Sequence, residues 1–214
     1  MKTEILVAGF DAFGDLEINP SGVLSAQIQR HFHGRRVMST VLPTSYTRAW
    51  RVLNAEIKEK APGIVLIFGY SSKVRAALQL EPLAANRDLA RVPDNDGVTR
   101  QARTVLEGGS ATRRSSLPIA SVVEALSSNG VDVAVASEPS GYVCNHTYYR
   151  LLGSLMGSGR QGLLVHVPGP SLSQGTVQAS FQLVESLLRP EVSGLVASLP
   201  SEDNHDLGSQ GGTS

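Results

Sequence analysis

Ile64-Val65-Leu66-Ile67-Phe68-Gly69 is a short, uniformly apolar run that stops at a glycine. Such a run reads as a strand buried on both faces, which is how strands of a parallel sheet present themselves. Working back toward the N-terminus, Ser45 to Lys60 is a long amphipathic segment carrying Trp50, Leu53 and Ile57, and Val37 to Leu42 is a second strand. Before those, Ser21 to Phe32 follows Asn19-Pro20, a helix-entry signal, with Val23, Leu24, Ile28 and Phe32 on one face, and Ile5 to Ala8 is a first strand. Working forward, residues 70–116 are less regular, and Glu107 to Ser116 reads as an exposed loop. Pro118 then opens a helix through Val122, Val123 and Leu126 that Asn129-Gly130 closes. Val131 to Ala136 and Leu163 to Val167 read as two more buried strands, and Gln174 to Leu188 as a last helix. Apolar strands alternating with amphipathic helices predict an α/β fold, a mainly parallel twisted sheet with helices on both faces. In such sheets sites form outside the carboxyl ends of the strands.

The 214 residues suit one domain, expected over 1–200, and the Gly-, Ser- and acid-rich segment 201–214 is expected to be a disordered tail. Nineteen basic residues balance nineteen acidic ones, which argues against a nucleic-acid or membrane surface, and Arg35-Arg36 reads as a solvated edge. No apolar run approaches the ~20 residues a membrane-spanning helix needs. A single cysteine makes no internal disulfide, and Met1-Lys2-Thr3-Glu4 runs directly into a strand, so a reducing cytoplasm is the expected setting. Gly9 to Gly14 is followed by Asp15 where a phosphate loop has Lys and Ser or Thr, which excludes that nucleotide site. No metal or cofactor is expected.

The one cysteine sits in Ser140-Gly141-Tyr142-Val143-Cys144-Asn145-His146. Glu138-Pro139-Ser140-Gly141 is turn chemistry, and Tyr148, Leu151, Leu152 and Leu155 recur at helical spacing after it. Cys144 is therefore expected in the first turn of a helix, where free backbone N–H groups and the helix dipole favour a thiolate. A lone cysteine is more commonly a small buried hydrophobe, so Cys144 needs partners to be read as a nucleophile. Of five histidines, His31 and His33 lie near a basic, solvated segment and His205 lies in the tail. His146 is two residues from Cys144, and positions i and i+2 of a helix face different ways. That leaves His166, at the carboxyl end of an apolar strand, where burying an unpartnered imidazole is costly. A nucleophile and base are oriented by a third group. Glu81, a carboxylate in the apolar stretch Ala76 to Ala84, fits better than Asp94 and Asp96, which sit in turn sequence where Asp caps its own backbone.

In these residues the chain resembles the type I pyroglutamyl peptidases, cysteine peptidases that remove an N-terminal pyroglutamate. Gly9-Phe10-Asp11-Ala12-Phe13-Gly14 with Asn19-Pro20-Ser21 is similar to that family's opening pattern. The likeness continues through Leu42-Pro43, Glu81 with Asn86, Pro93 to Gly97, Leu117-Pro118, Tyr142 to Asn145 and His166-Val167-Pro168. It spans about residues 4 to 190 in unbroken order. The resemblance implies Cys144 as nucleophile, His166 as general base and acid, and Glu81 as its orienter. It further implies Phe10 and Phe13 as the aromatic walls of a lactam pocket, with Ser71, Arg75 and Val143 as further substrate-binding positions. Peptides with N-terminal pyroglutamate are the implied partners, and a homo-oligomer, in many members a tetramer, the implied assembly.

The chain departs from the family's pattern where Gly-x-Ala-Gly-Gly-Arg is replaced by Gly69-Tyr70-Ser71-Ser72-Lys73-Val74-Arg75, and where Ala-Gly-Thr-Tyr is replaced by Pro139-Ser140-Gly141-Tyr142. Glycine-rich loops adopt backbone conformations that Ser, Lys and Val resist, so that wall of the pocket is expected to be rebuilt. Two alternatives follow. One is a divergent relative with another N-blocked or lactam-like substrate. The other is a non-catalytic homologue that binds peptide N-termini or serves in an assembly.

Overall fold

A computed structural model describes residues 4–33 and 36–189; the expected tail over 201–214, with His205, lies outside them. The described residues carry eight strands and five helices: β1 (Ile5–Phe10), α1 (Pro20–His31), β2 (Val37–Leu42), α2 (Ala49–Lys60), β3 (Ile64–Tyr70), β4 (Leu78–Glu81), β5 (Leu83–Ala85), β6 (Thr112–Arg114), α3 (Ile119–Ser128), β7 (Val133–Val135), α4 (Val143–Leu155), β8 (Gln161–Val167) and α5 (Gln174–Leu187). Six strands form one sheet in the order β2-β1-β3-β8-β4-β7, and β5 pairs with β6 beside it. β2, β1, β3 and β8 are mutually parallel; β4 pairs antiparallel to β8, and β7 parallel to β4. The expected mainly parallel α/β sheet is what forms, in a single domain.

Successive side chains of a strand face opposite sides, and the two apolar cores follow that period. Ile5 and Val7, Ile64, Leu66 and Phe68, and Leu163, Val165 and Val167 pack with α1, α3 and α5. Leu6, Ala8 and Phe10, Val65 and Ile67, and Leu164 pack with α2 and α4. Leu78 and Leu80 of β4 belong to the first core, so Gln79 and Glu81 face the second. His166, two residues after Leu164, faces the same side. Two of the catalytic candidates, Glu81 and His166, are thereby placed on one side by parity alone.

Several details differ from the sequence reading. Val131 to Ala136 is not a buried strand: its ordered part, β7, is a half-buried edge strand with Val135 48% exposed. β4, which carries Glu81, lies inside the stretch read as irregular, as do β5 and β6. α2 begins at Ala49 rather than Ser45; in the segment before it Asp94 accepts from the Tyr46 N–H at 2.8 Å, and Asp96 accepts from the Ser45 hydroxyl at 2.5 Å. Asp94 does cap its own turn, accepting from Asp96 N and Val98 N, but Asp96 reaches across to Arg48, whose hydrogen bonds hold its carboxyl at about 2. Val23 of α1 is exposed, while Leu24, Ile28 and Phe32 are buried. Among the described residues no helix is long and apolar enough to cross a membrane.

The end of β1 is locked to the start of α1. A Cβ on Gly9 would sit 2.1 Å from the Ser21 carbonyl oxygen, so only glycine admits this approach. Asn19 caps the helix by accepting from Ser21 N at 3.0 Å and donates to the Asp11 carbonyl at 2.9 Å. Asn19→Ala removes a helix cap and a buried bond together. It is expected to lower unfolding stability by about 1–3 kcal/mol, read as a lower urea midpoint at unchanged m-value.

Candidate active site

Cys144 is the second residue of α4, whose preceding residue Tyr142 is extended (φ −99°, ψ −169°) and supplies no side-chain cap. The first bond of the helix runs from His146 N to the Tyr142 carbonyl at 3.1 Å. The N–H groups of Val143, Cys144 and Asn145 therefore precede the ladder and face outward at the positive end of the helix. Here the strand-turn-helix reading of Cys144 needs correction in its route. β7 lies two places from β8 and runs opposite to it, so its carboxyl end does not deliver the thiol; residues 136–142 carry the chain back to the carboxyl ends of β3 and β8.

There the three sequence candidates meet. His166 Nε2 lies 3.4 Å from Cys144 Sγ, and His166 Nδ1 lies 2.8 Å from Glu81 Oε1. With Nδ1–H donating to the carboxylate, Nε2 is left to face sulfur. Glu81 is 2% exposed and His166 3%, and Gln79 Nε2 donates to the same Oε1 at 3.0 Å. The Ser140 hydroxyl sits 3.4 Å from the sulfur. Burial by itself raises the Cys144 pKa, but the His166 charge, with hydrogen bonds from His166 and Ser140, outweighs it and holds the thiol below its ordinary value. Burial likewise lowers that of His166, yet the Cys144 anion and the bonds to Cys144 and Glu81 raise it to about 10. The two directions agree: the arrangement favours thiolate beside imidazolium over the neutral pair.

Gly69 of β3 is level with His166 in the ladder. A Cβ there would lie 2.9 Å from His166 Cδ2 and 3.5 Å from the Cys144 Cβ, so the missing side chain is the space in which imidazole and thiol meet.

Beside the sulfur lies a cleft of about 20 Å³ lined by Phe10, Phe13, Asn19, Thr44, Gly69, Tyr70, Tyr142 and Cys144. Both phenylalanines named from the sequence are in it. The Phe13 and Tyr142 rings are 5.4 Å apart, and burial, with Asp94 and Cys144 nearby, pushes the Tyr142 hydroxyl up to about 12. The side chains of the other three expected substrate contacts do not line it. Val143 is fully buried in the α2/α4 core. Ser71 donates its N–H to the Val167 carbonyl, and exposed Arg75 folds onto the carbonyls of Ser72 and Val74. Asn19, Thr44, Tyr70 and Tyr142 line the cleft as well; Tyr70 falls in the segment 69–75 expected to form a rebuilt wall, Tyr142 and Asn19 stand inside the quoted motifs, and nothing in Thr44 signals a wall position. A far larger hollow of about 510 Å³, lined by Leu106, Arg113, Arg114, Leu152 and Met156 among others, includes none of Cys144, His166 and Glu81.

His146 has a separate role: Nδ1 meets both Asp88 oxygens, at 3.1 and 3.0 Å, and Arg100 Nη1 meets Asp88 Oδ2 at 3.0 Å. Asn145, formally a glycosylation acceptor, is 1% exposed and pairs with the Ala85 N–H and carbonyl and with the Arg87 carbonyl.

The pyroglutamyl peptidase family model matches residues 3–189 of the chain. The pyrrolidone-carboxylate peptidase of Bacillus cytotoxicus is 32% identical over 198 residues, covering 86% of this chain and 91% of its own. That of Escherichia fergusonii is 32% identical over 195 residues, covering 85% and 90%. Among solved structures, pyroglutamyl peptidase I of Bacillus amyloliquefaciens superposes with a TM-score of 0.78 at 27% identity, over 85% of this chain and 95% of that one. A mutant pyrrolidone carboxyl peptidase of Pyrococcus furiosus gives 0.79 at 26%, over 87% and 98%.

Gly69→Ala presses on the imidazole edge, with the added Cβ 2.9 Å from His166 Cδ2 and 3.0 Å from Nε2, and forces the ring away from sulfur. Alkylation of Cys144 by iodoacetamide at neutral pH is expected to slow about tenfold, since a thiol that loses the imidazolium's support returns toward its ordinary pKa and its thiolate fraction falls; an unchanged rate removes Gly69 from this role.

Proposed function

The chain belongs to the pyroglutamyl peptidase family, and on that premise we propose that it is a cysteine omega-peptidase hydrolysing the bond after an N-terminal pyroglutamate. The observation that carries the proposal is the continuous contact Glu81–His166–Cys144 beside a cleft walled by Phe10 and Phe13. The flat apolar faces of a lactam suit aromatic walls, and its amide edge suits a few hydrogen bonds.

In the proposed reaction Cys144 Sγ, as thiolate, attacks the carbonyl carbon that joins pyroglutamate to the next residue. The oxyanion is held by the Cys144 N–H at the uncapped start of α4. The His166 imidazolium gives its Nε2 proton to the leaving amine as the C–N bond breaks, leaving a thioester. Neutral His166 then takes a proton from water, whose oxygen attacks the thioester; the collapsing intermediate expels the sulfur, and thiolate and imidazolium return. Glu81 keeps Nδ1–H fixed throughout and does not take the proton. A reducing, cytoplasmic setting suits a reactive thiol, and a homo-oligomer suits the family.

The purified protein is expected to release the fluorophore from a pyroglutamyl amide and to leave matched alanyl and prolyl amides intact. No turnover of the first would sink the proposal. Cys144→Ala is expected to abolish activity, and His166→Ala and Glu81→Gln to reduce it by at least about a hundredfold. The pH profile of kcat/KM follows from the two shifts. Activity is gained as the pH rises through the lowered thiol pKa. It is lost again at alkaline pH, as His166, raised to about 10, gives up its proton. An alkaline limb near the ordinary imidazole value of ~6.5 contradicts the ion pair.

A further inference from the structure

We propose that the Ser140 hydroxyl is a second hydrogen-bond donor to the Cys144 sulfur, sharing with His166 the work of keeping it ionised and aimed at the scissile carbonyl. The inference rests on the reading of Cys144 as nucleophile, but it can be tested without a peptide substrate. Ser140 Oγ and His166 Nε2 approach the sulfur at the same distance, 3.4 Å. A thiolate is an acceptor with no proton to give, so the hydroxyl must be the donor. Among the described residues the sulfur is the partner that the structure gives this hydroxyl.

The hydroxyl is also held in place. Ser140 lies four residues before Cys144, outside the helix, in a turn fixed from behind: Leu89 N–H donates to the Gly141 carbonyl at 2.7 Å. That clamp requires glycine at 141, where a Cβ would come within 2.8 Å of the Leu89 carbonyl oxygen. On the other side of the turn Tyr142 Oη donates to the Pro93 carbonyl at 2.8 Å. Ser140 thus presents its side chain to the sulfur from a backbone that two segments brace.

The chemistry sets a signature. A donor to sulfur stabilises the thiolate most, since that form carries the full charge, and the bond weakens as the sulfur's electron pair passes to the carbonyl carbon. Removing the donor therefore lowers the thiolate fraction at a given pH while making each remaining thiolate a somewhat better nucleophile, because nucleophilicity rises with thiol pKa. A purely structural residue would scale the whole pH curve instead.

The test is the rate of Cys144 alkylation by iodoacetamide, followed by mass spectrometry across pH, in the wild type, Ser140→Ala and Ser140→Thr. In Ser140→Ala the midpoint is expected to rise by about one pH unit, giving about tenfold slower labelling well below it, with a plateau at high pH equal to or above the wild type's. Ser140→Thr keeps the hydroxyl and is expected to keep the midpoint. A midpoint that stays put in Ser140→Ala, or that moves equally in Ser140→Thr, overturns the proposal. Because labelling needs no turnover, absence of pyroglutamyl peptidase activity would count against the proposed function and leave this result readable.

Discussion

The site depends on one buried contact, the 2.8 Å hydrogen bond from His166 Nδ1–H to Glu81, and that contact exists because β4 runs against β8. In the antiparallel register Glu81 stands opposite Leu164 and Gln79 opposite His166. All four point to the side of α4, so Glu81 reaches the imidazole along a diagonal that long side chains can span. A slip of one residue would turn Glu81 into the core formed with α3 and α5, leaving a carboxylate without a partner where burial of an unpaired charge costs several kcal/mol. The same burial that threatens the carboxylate strengthens the bond it makes. The sheet thus holds its register and its imidazole by one requirement.

The nucleophile reaches the imidazole by a different device, a helix start pinned from several sides. Asn145 pairs with the backbone of residues 85 and 87 in the manner of a neighbouring strand. Leu89 holds the turn at Gly141, and Tyr142 holds Pro93. These bonds fix the first turn of α4 while leaving its outward N–H groups unspent, as an anion site at a helix N-terminus requires. Gly69 supplies the last condition by leaving empty the volume where ring and sulfur come together. Asn145, the braced turn and Gly69 each serve the same 3.4 Å approach.

Much of this is legible in the sequence, and what is not has physical causes. β3 and β8 are readable because strands buried on both faces are apolar throughout. β4 is not: four residues, Leu-Gln-Leu-Glu, are too few for alternation to be told from an irregular apolar stretch. Glu81 stands out nonetheless, since a carboxylate among apolar residues needs a partner wherever the strand runs. Val131 to Ala136 misleads because an apolar run reads as buried, whereas Val133 to Val135 sits at an edge that nothing else in the sheet covers. The start of a helix at Cys144 is readable even though the strand before it runs the other way, because helix-start chemistry is local and strand order is not. The side chains of Ser71, Arg75 and Val143 do not line the cleft, because resemblance carries positions across, while the loop from 70 to 75 and the core behind Val143 decide where those side chains go.

The central claim is that Cys144 and His166 rest as thiolate and imidazolium. It is tested most directly by following the His166 ring through a pH titration by NMR of histidine-labelled protein, in the wild type and in Cys144→Ser. The ion pair predicts an imidazolium that persists well above its ordinary ~6.5 in the wild type, and a lower midpoint once the sulfur anion is gone. A His166 that titrates near the ordinary imidazole value in both proteins would contradict it.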